Sequence, residues 1–393
     1  MIPVLWGAYY ELPMIKILSL YYKNYNYGGQ LQAWALSYVL KRQNKDCVHI
    51  SFQSKAKFKS SIWARLSSIT VEKILNKLNQ FFNLKFKKKL VNRRTKFIEF
   101  EREIPHTKVY CEKTISECVE ANDIFVVGSD QVWNPDWTSS TYFLDFVPTS
   151  NLKISYAASL GKNRISNKFL GNVSRYLDDF DYISVREKEA KEILENYLDK
   201  RISLVLDPTL LMDEKEWGSL AVPPLKDRSY LFVYLLGNNK AHKKKIKEYA
   251  KRRNLEIVYI PHVHFYYQIA DNSFADKELY DIGPKEFLGL IQNATEVITD
   301  SFHGCVFSII FKKQFCALKR HQDNLAANMN SRLYTLFDSL ELRSRLFEDY
   351  FSSEDMLKIM SSPIDYENTE KILVELRKRS LDYLMNAVSD SKQ

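Results

Sequence analysis

The sequence predicts an α/β protein of two domains, and three observations lead to that prediction. The chain has 393 residues, more than one simple core accommodates. Short apolar runs rich in Val, Ile and Tyr alternate with helical patterns, which is typical of βαβ units around parallel sheets. The segment AVPPLKDRSY at 221–230 carries two prolines before a new strand and marks a boundary. We therefore expect two Rossmann-like domains facing a cleft, over 14–221 and 222–345, and a helical segment over 346–393 that can pack back on the first domain.

Eight segments have the composition of strands and five have helical patterns. The predicted strands are Lys16–Tyr21, Asp123–Val127, Lys153–Ala157, Tyr182–Val185, Ser203–Leu206, Tyr230–Leu235, Glu256–Ile260 and Glu296–Thr299. The predicted helices are Gln30–Arg42, Glu187–Asn196, Ala241–Arg252, Pro284–Asn293 and Gly304–Ile310.

Composition limits the class of protein. With 45% apolar and 27% charged residues, the chain resembles ordinary globular proteins and neither disordered nor fibrous ones. No apolar run reaches the roughly 18 residues of a membrane-spanning helix, and the N-terminus lacks a secretory pattern, so we expect a cytoplasmic protein. The five cysteines are odd in number and form no close pairs, which indicates reduced thiols and no structural zinc.

Basic residues concentrate in one segment of the first domain. Between Lys55 and Lys96 there are thirteen Lys or Arg and one acid, Glu72, whereas the net charge of the whole chain is +9. We interpret about 55–100 as a helical insertion. Its aromatic residues interleave with cations, which suits an anionic membrane surface, where each basic residue adds about 1 kcal/mol. A solvated insertion is the alternative, and no nucleic-acid-binding module is visible.

The stretch NYGGQLQ joins a predicted strand to a predicted helix through a turn that is a candidate ligand site. Glycines allow a tight turn and bring backbone N–H groups close to a ligand, and a helix N-terminus favours an anion. Asn26, Gly28, Gly29 and Gln30 are therefore candidate cleft residues. A turn that needs glycine for its backbone conformation explains the same letters without a ligand.

Further motifs follow in a specific order. They are NYGGQLQAWAL, VVGSDQVWNP (Val126–Pro135), SYAASLG (Ser155–Gly161), ISVREKEA (Ile183–Ala190), VLDPTLL (Val205–Leu211) and VITDSFHGCVFSIIF (Val297–Phe311). Together they resemble the polysaccharide pyruvyl transferase family over roughly Lys16 to Arg345. The resemblance implies transfer of the pyruvyl group of phosphoenolpyruvate to a sugar of a bacterial surface polysaccharide, or of its lipid-linked precursor, as a ketal. It also implies an architecture similar to GT-B glycosyltransferases. No cofactor is expected besides phosphoenolpyruvate as co-substrate.

Donor binding is expected at two strand ends. Arg186 directly follows the strand YISV, and His303 follows EVIT and opens a helix near Gly304. His303 could donate a proton, accept one, or bind phosphate. Part of the family carries an arginine two residues before this histidine, where this chain has Ser301. Three cations could substitute for it: Lys312, Arg320 and Arg332.

Acceptor binding is expected around GSDQVWNP. Ser129, Asp130 and Gln131 can bond sugar hydroxyls, Asp130 is a candidate base, and Trp133 offers a flat face for a sugar ring. An Asx-type turn with a core tryptophan is the structural alternative. The remaining candidates for the cleft are Tyr156 and His262, whereas Asp207 and Pro208 are expected to shape a turn.

The sequence leaves three functions open. The first is a pyruvyl transferase whose basic segment holds it as a peripheral protein at the inner face of a membrane. The second is a GT-B type glycosyltransferase that uses a nucleotide sugar. The third is a non-catalytic carbohydrate-binding assembly protein, which the serine at position 301 favours. No metal-ligand cluster stands out, and the chemistry does not demand one.

Overall fold

The computed structural model describes residues 13–54, 84–162, 164–225, 228–261, 274–320, 330–347 and 350–390. Two parallel sheets organise these residues. The strands of the first sheet are β1 Ile15–Leu18, β2 Cys47–Phe52, β3 His106–Tyr110, β4 Ile124–Val127 and β5 Leu152–Ser155. Their spatial order is β3-β2-β1-β4-β5, and every pair is parallel. Strands β6 Ile183–Val185 and β7 Ile202–Leu204 pair with each other, and isolated bridges from Ile154 and Ala158 join β6 to the edge at β5.

Four helices of this first part lie between its strands in the chain, and a fifth follows its last strand. They are α1 Tyr27–Arg42, α2 Leu84–Glu101, α3 Asn167–Leu177, α4 Lys188–Glu195 and α5 Glu214–Leu220. Twelve of the sixteen residues of α1 are buried, so this helix lies inside the molecule.

The second sheet contains six strands. These are β8 Tyr230–Tyr234, β9 Glu256–Tyr259, β10 Lys277–Glu278, β11 Glu296–Thr299, β12 Gln314–Leu318 and β13 Leu346–Phe347. Their order is β10-β9-β8-β11-β12-β13, again parallel throughout. The associated helices are α6 Lys240–Arg253, α7 Pro284–Asn293, α8 Phe302–Ile310, α9 Ser331–Ser339, α10 Ser353–Ser361 and α11 Tyr366–Ser389.

The two sheets confirm the predicted α/β fold. All eight predicted strands and all five predicted helices overlap elements of the structure. Five further strands were not predicted from the sequence: β2, β3, β10, β12 and β13. Because β13 pairs with β12, the second sheet extends two residues past the expected boundary at residue 345.

Packing joins the two sheets through helices. Tyr27 at the start of α1 stacks on Phe287 of α7 at 4.5 Å between ring centroids, and its hydroxyl donates to the Ile282 carbonyl at 2.9 Å. The C-terminal helix α11 returns to the first sheet, where the Tyr383 hydroxyl donates to the Ser155 carbonyl at 3.0 Å. In the described ranges we find no helix that is both long and apolar enough to cross a bilayer.

A buried histidine in β2 makes the stability of the fold depend on pH. His49 is fully buried, its Nε2–H donates to the Ala33 carbonyl at 3.0 Å, and its Nδ1 lies 3.4 Å from the Ser19 hydroxyl. Burial lowers the pKa of His49 to about 3, although the hydrogen bond to Ala33 opposes this shift. The unfolded chain, with a histidine pKa near 6.5, therefore binds more protons than the folded chain between about pH 3 and 6.5.

We expect the free energy of unfolding to fall by roughly 1 kcal/mol between pH 7 and 5.5, because His49 takes up a proton in the unfolded chain but not in the folded one. The measurement is urea unfolding at both pH values for the wild type and for His49→Gln. The variant is less stable at both values because it changes a buried group, but it lacks this part of the pH dependence. An unchanged pH dependence in the variant would contradict the assignment.

Candidate functional site

A cleft opens where the carboxyl ends of the central strands of both sheets meet. In each sheet the chain reverses its direction of winding beside the first strand, between β1 and β4 and between β8 and β11. Such positions hold the ligand sites of open α/β sheets. The cleft has a volume of about 510 Å³ and is lined by Leu20, Asn24, Asn26, Asp130, Gln131, Trp137, Leu236, Ser301, Phe302, His303, Arg320 and Arg332.

A larger groove of about 950 Å³ runs beside β7 and α11. None of the residues that the sequence analysis selected lines it, and it contains no histidine. We assign the candidate site to the cleft because the titratable groups and the predicted motifs converge there.

His303 occupies the second position of α8 and is 7% exposed. A Cβ atom on Gly28 would lie 2.0 Å from its Nδ1, so the glycine of α1 provides the space that the imidazole fills. Its Nε2 is buried, lies 3.8 Å from Asp207 Oδ1, and has no hydrogen-bond partner among the described residues. The imidazole is therefore held between the two halves of the molecule, with a carboxylate behind it.

Asp207 lies at the centre of a buried polar network. Its Oδ1 accepts from the Thr209 hydroxyl at 2.7 Å, and its Oδ2 accepts from Arg186 Nη1 at 2.7 Å and from the Ser129 hydroxyl at 3.0 Å. Burial would raise the pKa of Asp207, but His303, Arg186 and Thr209 outweigh it and hold that pKa well below its usual range. Asp207 also caps the turn at Pro208–Leu211, as expected. Its place beside His303 was not predicted.

Arg186 joins three carboxylates. It donates to Asp207, to Asp130 Oδ1 at 2.9 Å and to Glu187 Oε1 at 3.2 Å, and its guanidinium lies 4.6 Å from the ring centroid of Phe302. Burial opposes its charge, yet the three carboxylates raise the pKa of Arg186. Its side chain is 1% exposed and does not line the cleft. In this structure the guanidinium is directed at buried acids, so the contact of Arg186 with the donor stays a prediction.

The loop after β4 brings Asp130 to the cleft. Gly128 has a φ of +119°, and a Cβ there would lie 2.2 Å from the Tyr156 carbonyl oxygen, so only glycine fits. Asp130 follows with a φ of +64° and lines the cleft beside Gln131. Asp130 thus lies where the sequence analysis expected it.

The opposite wall carries cations. Ser301 caps α8 by accepting from the Gly304 N–H at 3.3 Å, and both Arg320 and Arg332 line the cleft near it. Arg320 Nη2 donates to the Asp300 carbonyl at 3.2 Å, and its buried Nε has no hydrogen-bond partner within the described ranges. Lys312, the third candidate to replace the missing arginine, is half-exposed and pairs with Glu214 at 3.5 Å, outside the cleft lining.

Arg332 contacts Gln131, in the loop after β4, across the cleft. With its carboxamide oxygen turned toward the guanidinium, Gln131 accepts from Arg332 Nη1 at 2.7 Å and from Nη2 at 3.0 Å. Burial and the nearby Arg186 lower the pKa of Arg332 to about 10, which leaves it protonated at neutral pH. The two walls of the cleft are therefore joined by a polar contact.

The NYGGQLQ turn differs from its expected role. The Asn26 side chain accepts from the N–H groups of Gly28 and Gly29 at 2.9 and 3.4 Å, so these donors are satisfied within the helix cap. Gly29 packs under Asn24, and Gln30 is buried with its Nε2 directed at Glu101. Only Asn26 of the four candidates lines the cleft. The structure favours the alternative of a turn whose N–H groups are capped within the protein, and the glycine at 28 accommodates His303.

Four more candidates lie behind the cleft surface. Trp133 is fully buried, stacks on Phe143 at 5.6 Å and donates its indole N–H to the Tyr142 carbonyl, so it has no face open to a sugar. The core tryptophan weighed as the alternative is what the structure has. Tyr156 is likewise buried and donates to the Leu206 carbonyl at 3.1 Å. Ser129 and Gly304 are buried within their own hydrogen bonds.

His262 lies outside the described residues. Five residues of the cleft were not selected from the sequence: Leu20, Asn24, Trp137, Leu236 and Phe302. A usable signal existed for Trp137, because it stands between Asp136 and Thr138 in a polar loop, whereas Trp133 follows the apolar Val132. No cluster of potential metal ligands occurs in the part of the chain that the structure describes.

Solved structures with the same fold have very different sequences. A protein described as "Trehalose-6-phosphate from E. coli bound with UDP-2-fluoro glucose" matches with a TM-score of 0.52 and 8% identity, over 96% of this chain and 99% of that one. A UDP-N-acetylglucosamine 2-epimerase matches with a TM-score of 0.50 and 11% identity, over 98% of each chain. At these identities the likeness shows the fold alone, which is the GT-B fold.

Sequence comparison identifies the family. Among curated proteins, none matches this chain. The family model described as "Polysaccharide pyruvyl transferase" matches residues 26–322, a range that contains the glycine turn, the Asp130 loop, Arg186, Asp207 and His303. The chain belongs to the polysaccharide pyruvyl transferase family.

Proposed function

We propose that this protein transfers the pyruvyl group of phosphoenolpyruvate to a sugar of a bacterial surface polysaccharide, or of its lipid-linked precursor, and forms a ketal. The observation that carries the proposal is the convergence of His303, Arg320 and Arg332 on one cleft that also contains Asp130. Family membership supports a transferase with a sugar acceptor. The cationic side chains of the cleft support phosphoenolpyruvate as the donor.

Phosphoenolpyruvate carries a carboxylate and a phosphate on a three-carbon frame. Two guanidinium groups, those of Arg320 and Arg332, line the same cleft as Ser301 and His303 and supply charge-assisted hydrogen bonds to such a ligand. Arg320 and Arg332 take the place that the serine at position 301 leaves without a cation. The two arginines provide the positive charge that the departing phosphate needs, so the proposal requires no metal.

His303 is the proposed acid. Asp207, 3.8 Å from Nε2, favours a proton on that nitrogen, so Nδ1 is the nitrogen that exchanges a proton with the substrate. Protonation of the methylene carbon of phosphoenolpyruvate makes it the methyl group and leaves an oxocarbenium-like C2. Asp207 acts as a positioning residue because it touches the histidine and not the ligand.

Both hydroxyl groups of the acceptor sugar then form bonds to C2. One hydroxyl oxygen forms a bond to C2 and passes its proton to Asp130, the C2–O bond to phosphate breaks, and the second hydroxyl closes the ketal. One of the two hydroxyl protons replaces the proton consumed at the methyl group, and the other leaves with inorganic phosphate. Asp130 lines the cleft and its Arg186 partner holds it in place.

We also propose that helix α2 directs the cleft toward an anionic bilayer. Its residues Lys88, Lys89 and Arg94 are exposed, and Val91 is 62% exposed between them. Arg94 Nε donates to the Tyr25 hydroxyl at 2.9 Å, and Tyr25 lies between the cleft residues Asn24 and Asn26. Cations near the cleft mouth suit a lipid-linked acceptor at a negatively charged surface. The basic residues from Lys55 to Lys77 lie outside the described residues.

The test is phosphate release from phosphoenolpyruvate with a panel of galactose-, glucose- and mannosamine-terminated lipid-linked acceptors. We expect acceptor-dependent release, and a KM for phosphoenolpyruvate raised about tenfold to a hundredfold in Arg332→Ala, because one charged hydrogen bond contributes roughly 1.5–3 kcal/mol. Lys312→Ala is the matched control, and it leaves this KM unchanged because Lys312 lies outside the cleft. Binding of a nucleotide sugar together with no binding of phosphoenolpyruvate would overturn the proposal in favour of glycosyl transfer.

A further inference from the structure

One aromatic side chain on the cleft wall is open to ligand. Trp137 is 37% exposed and lines the cleft, whereas Phe302, the other aromatic residue of the lining, is 7% exposed. The guanidinium groups of Arg186 and Arg332 lie 4.6 and 5.9 Å from the ring centroid of Phe302. Within the described residues, Trp137 is thus the aromatic surface that a molecule entering the cleft meets.

The loop holds Trp137 in one position. Its indole Nε1–H donates to the Gln131 carbonyl at 3.1 Å, and its backbone N–H donates to the Asn134 carbonyl at 3.2 Å. The Thr138 hydroxyl donates to the Val132 carbonyl at 2.6 Å, and the Asn134 side chain accepts from the Asp136 N–H at 3.0 Å. Because the polar edge of the indole is satisfied by the protein, its ring face is what remains for a ligand.

The two walls of the cleft differ in chemistry. The wall from the second sheet carries Arg320, Arg332 and His303, and the wall from the first sheet carries Trp137 with the amides Asn24 and Asn26. A phosphate and a carboxylate match the cationic wall of Arg320, Arg332 and His303. The other set matches a neutral ring with hydroxyl groups, because amides bond hydroxyls and a tryptophan face attracts the weakly positive C–H groups of a pyranose.

We propose that Trp137 is the platform on which the acceptor sugar ring stacks, with its reacting hydroxyls directed at Asp130. Asp130 and Trp137 belong to the same loop and line the same cleft, so a ring on the indole lies beside the proposed base. The inference rests on the proposed function for the identity of the acceptor, but it concerns sugar binding and not the chemical step.

The test is saturation-transfer NMR with methyl β-galactoside, methyl β-glucoside and the methyl glycoside of N-acetylmannosamine as probes. We expect saturation of the C–H face of at least one glycoside in the wild type and its loss in Trp137→Ala. Trp137→Phe keeps a ring face and retains most of the signal. Tyr197→Ala removes an aromatic residue of similar exposure, 41%, outside the cleft, and leaves the signal unchanged.

Kinetics give a second readout. Trp137→Ala raises the KM for the acceptor at least tenfold and leaves the KM for phosphoenolpyruvate within twofold. An acceptor KM that stays within twofold in a folded Trp137→Ala variant would overturn the platform, as would absence of saturation transfer to every glycoside in the wild type. Glycoside binding that depends on Trp137 without any phosphate release would support the platform and count against pyruvyl transfer, so the two failures are distinguishable.

Discussion

Replacement of His303 by glutamine is expected to lower kcat for phosphate release by about 10²- to 10⁴-fold, the usual contribution of a positioned acid or base. Glutamine fills similar space and keeps a polar group near Asp207, but it cannot transfer a proton. We expect phosphoenolpyruvate binding to persist because Arg320 and Arg332 remain. The measurements are kcat with a competent acceptor and the Kd for phosphoenolpyruvate.

Gly28→Ala tests the position of the imidazole without changing its chemistry. The added Cβ would lie 2.0 Å from His303 Nδ1, so the ring must move, and we expect a similar loss of kcat. Gly171→Ala is the matched control. Gly171 lies in the exposed part of α3, nothing lies within 4 Å of its Cβ position, and the change stabilises the helix by up to about 1 kcal/mol.

Two results would contradict the role of His303. One is a His303→Gln variant that keeps more than a tenth of the wild-type kcat. The other is a folded Gly28→Ala variant with wild-type kcat, which would mean that the position of the imidazole is not critical.

Arg186→Met is expected to destabilise the protein by about 3–5 kcal/mol, the usual cost of removing one partner from a buried ion pair. The change leaves Asp207 and Glu187 in the interior without their cation, and both side chains are at most 1% exposed. Burial already raises the pKa of Glu187 despite Arg186, so this carboxyl is expected to take up a proton once the arginine is gone. The measurement is urea unfolding at pH 7.

A second arginine provides the control for this prediction. Arg228 pairs with Glu256 at 3.3 Å, but both side chains are partly exposed, at 56% and 31%. Arg228→Met should therefore change the free energy of unfolding by at most about 1 kcal/mol. Asp207→Asn, added to Arg186→Met, should recover part of the loss because it removes one unpaired charge. A loss below 1 kcal/mol in Arg186→Met would show that the network is not structural.

Much of the architecture follows from local patterns. Strands such as Tyr230–Tyr234 are continuous apolar runs, and α7 begins at a proline after Gly283, so period and end signals indicate them directly. Strand β2 was missed because CVHISF interrupts its apolar residues with His49 and Ser51, which are buried only through their tertiary partners. Polar residues of this kind hide a strand from any pattern based on hydrophobicity.

The cleft residues also divide into those that local sequence patterns predict and those that tertiary packing decides. His303, Ser301, Asp130 and Gln131 stand two to four residues after strand ends. Because the carboxyl ends of parallel strands meet at one edge of a sheet, their approach to the cleft could be expected. Trp133 and Trp137 are four residues apart in one loop, and their apolar or polar neighbours indicate only weakly which of them turns inward. The packing of Trp133 on Phe143 decides it.

Chain order and residue pattern were thus sufficient for the α/β class, the strand ends that carry the site, and the family. The tertiary structure alone decided that Arg186 pairs with Asp130, Glu187 and Asp207, that Gly28 makes room for His303, and that Arg320 and Arg332 line the same cleft as Ser301. The physical reason is the distance along the chain over which each effect acts. Propensity and periodicity act between neighbours in the chain, whereas a charge or a ring finds its partner by proximity in space, across up to hundreds of residues.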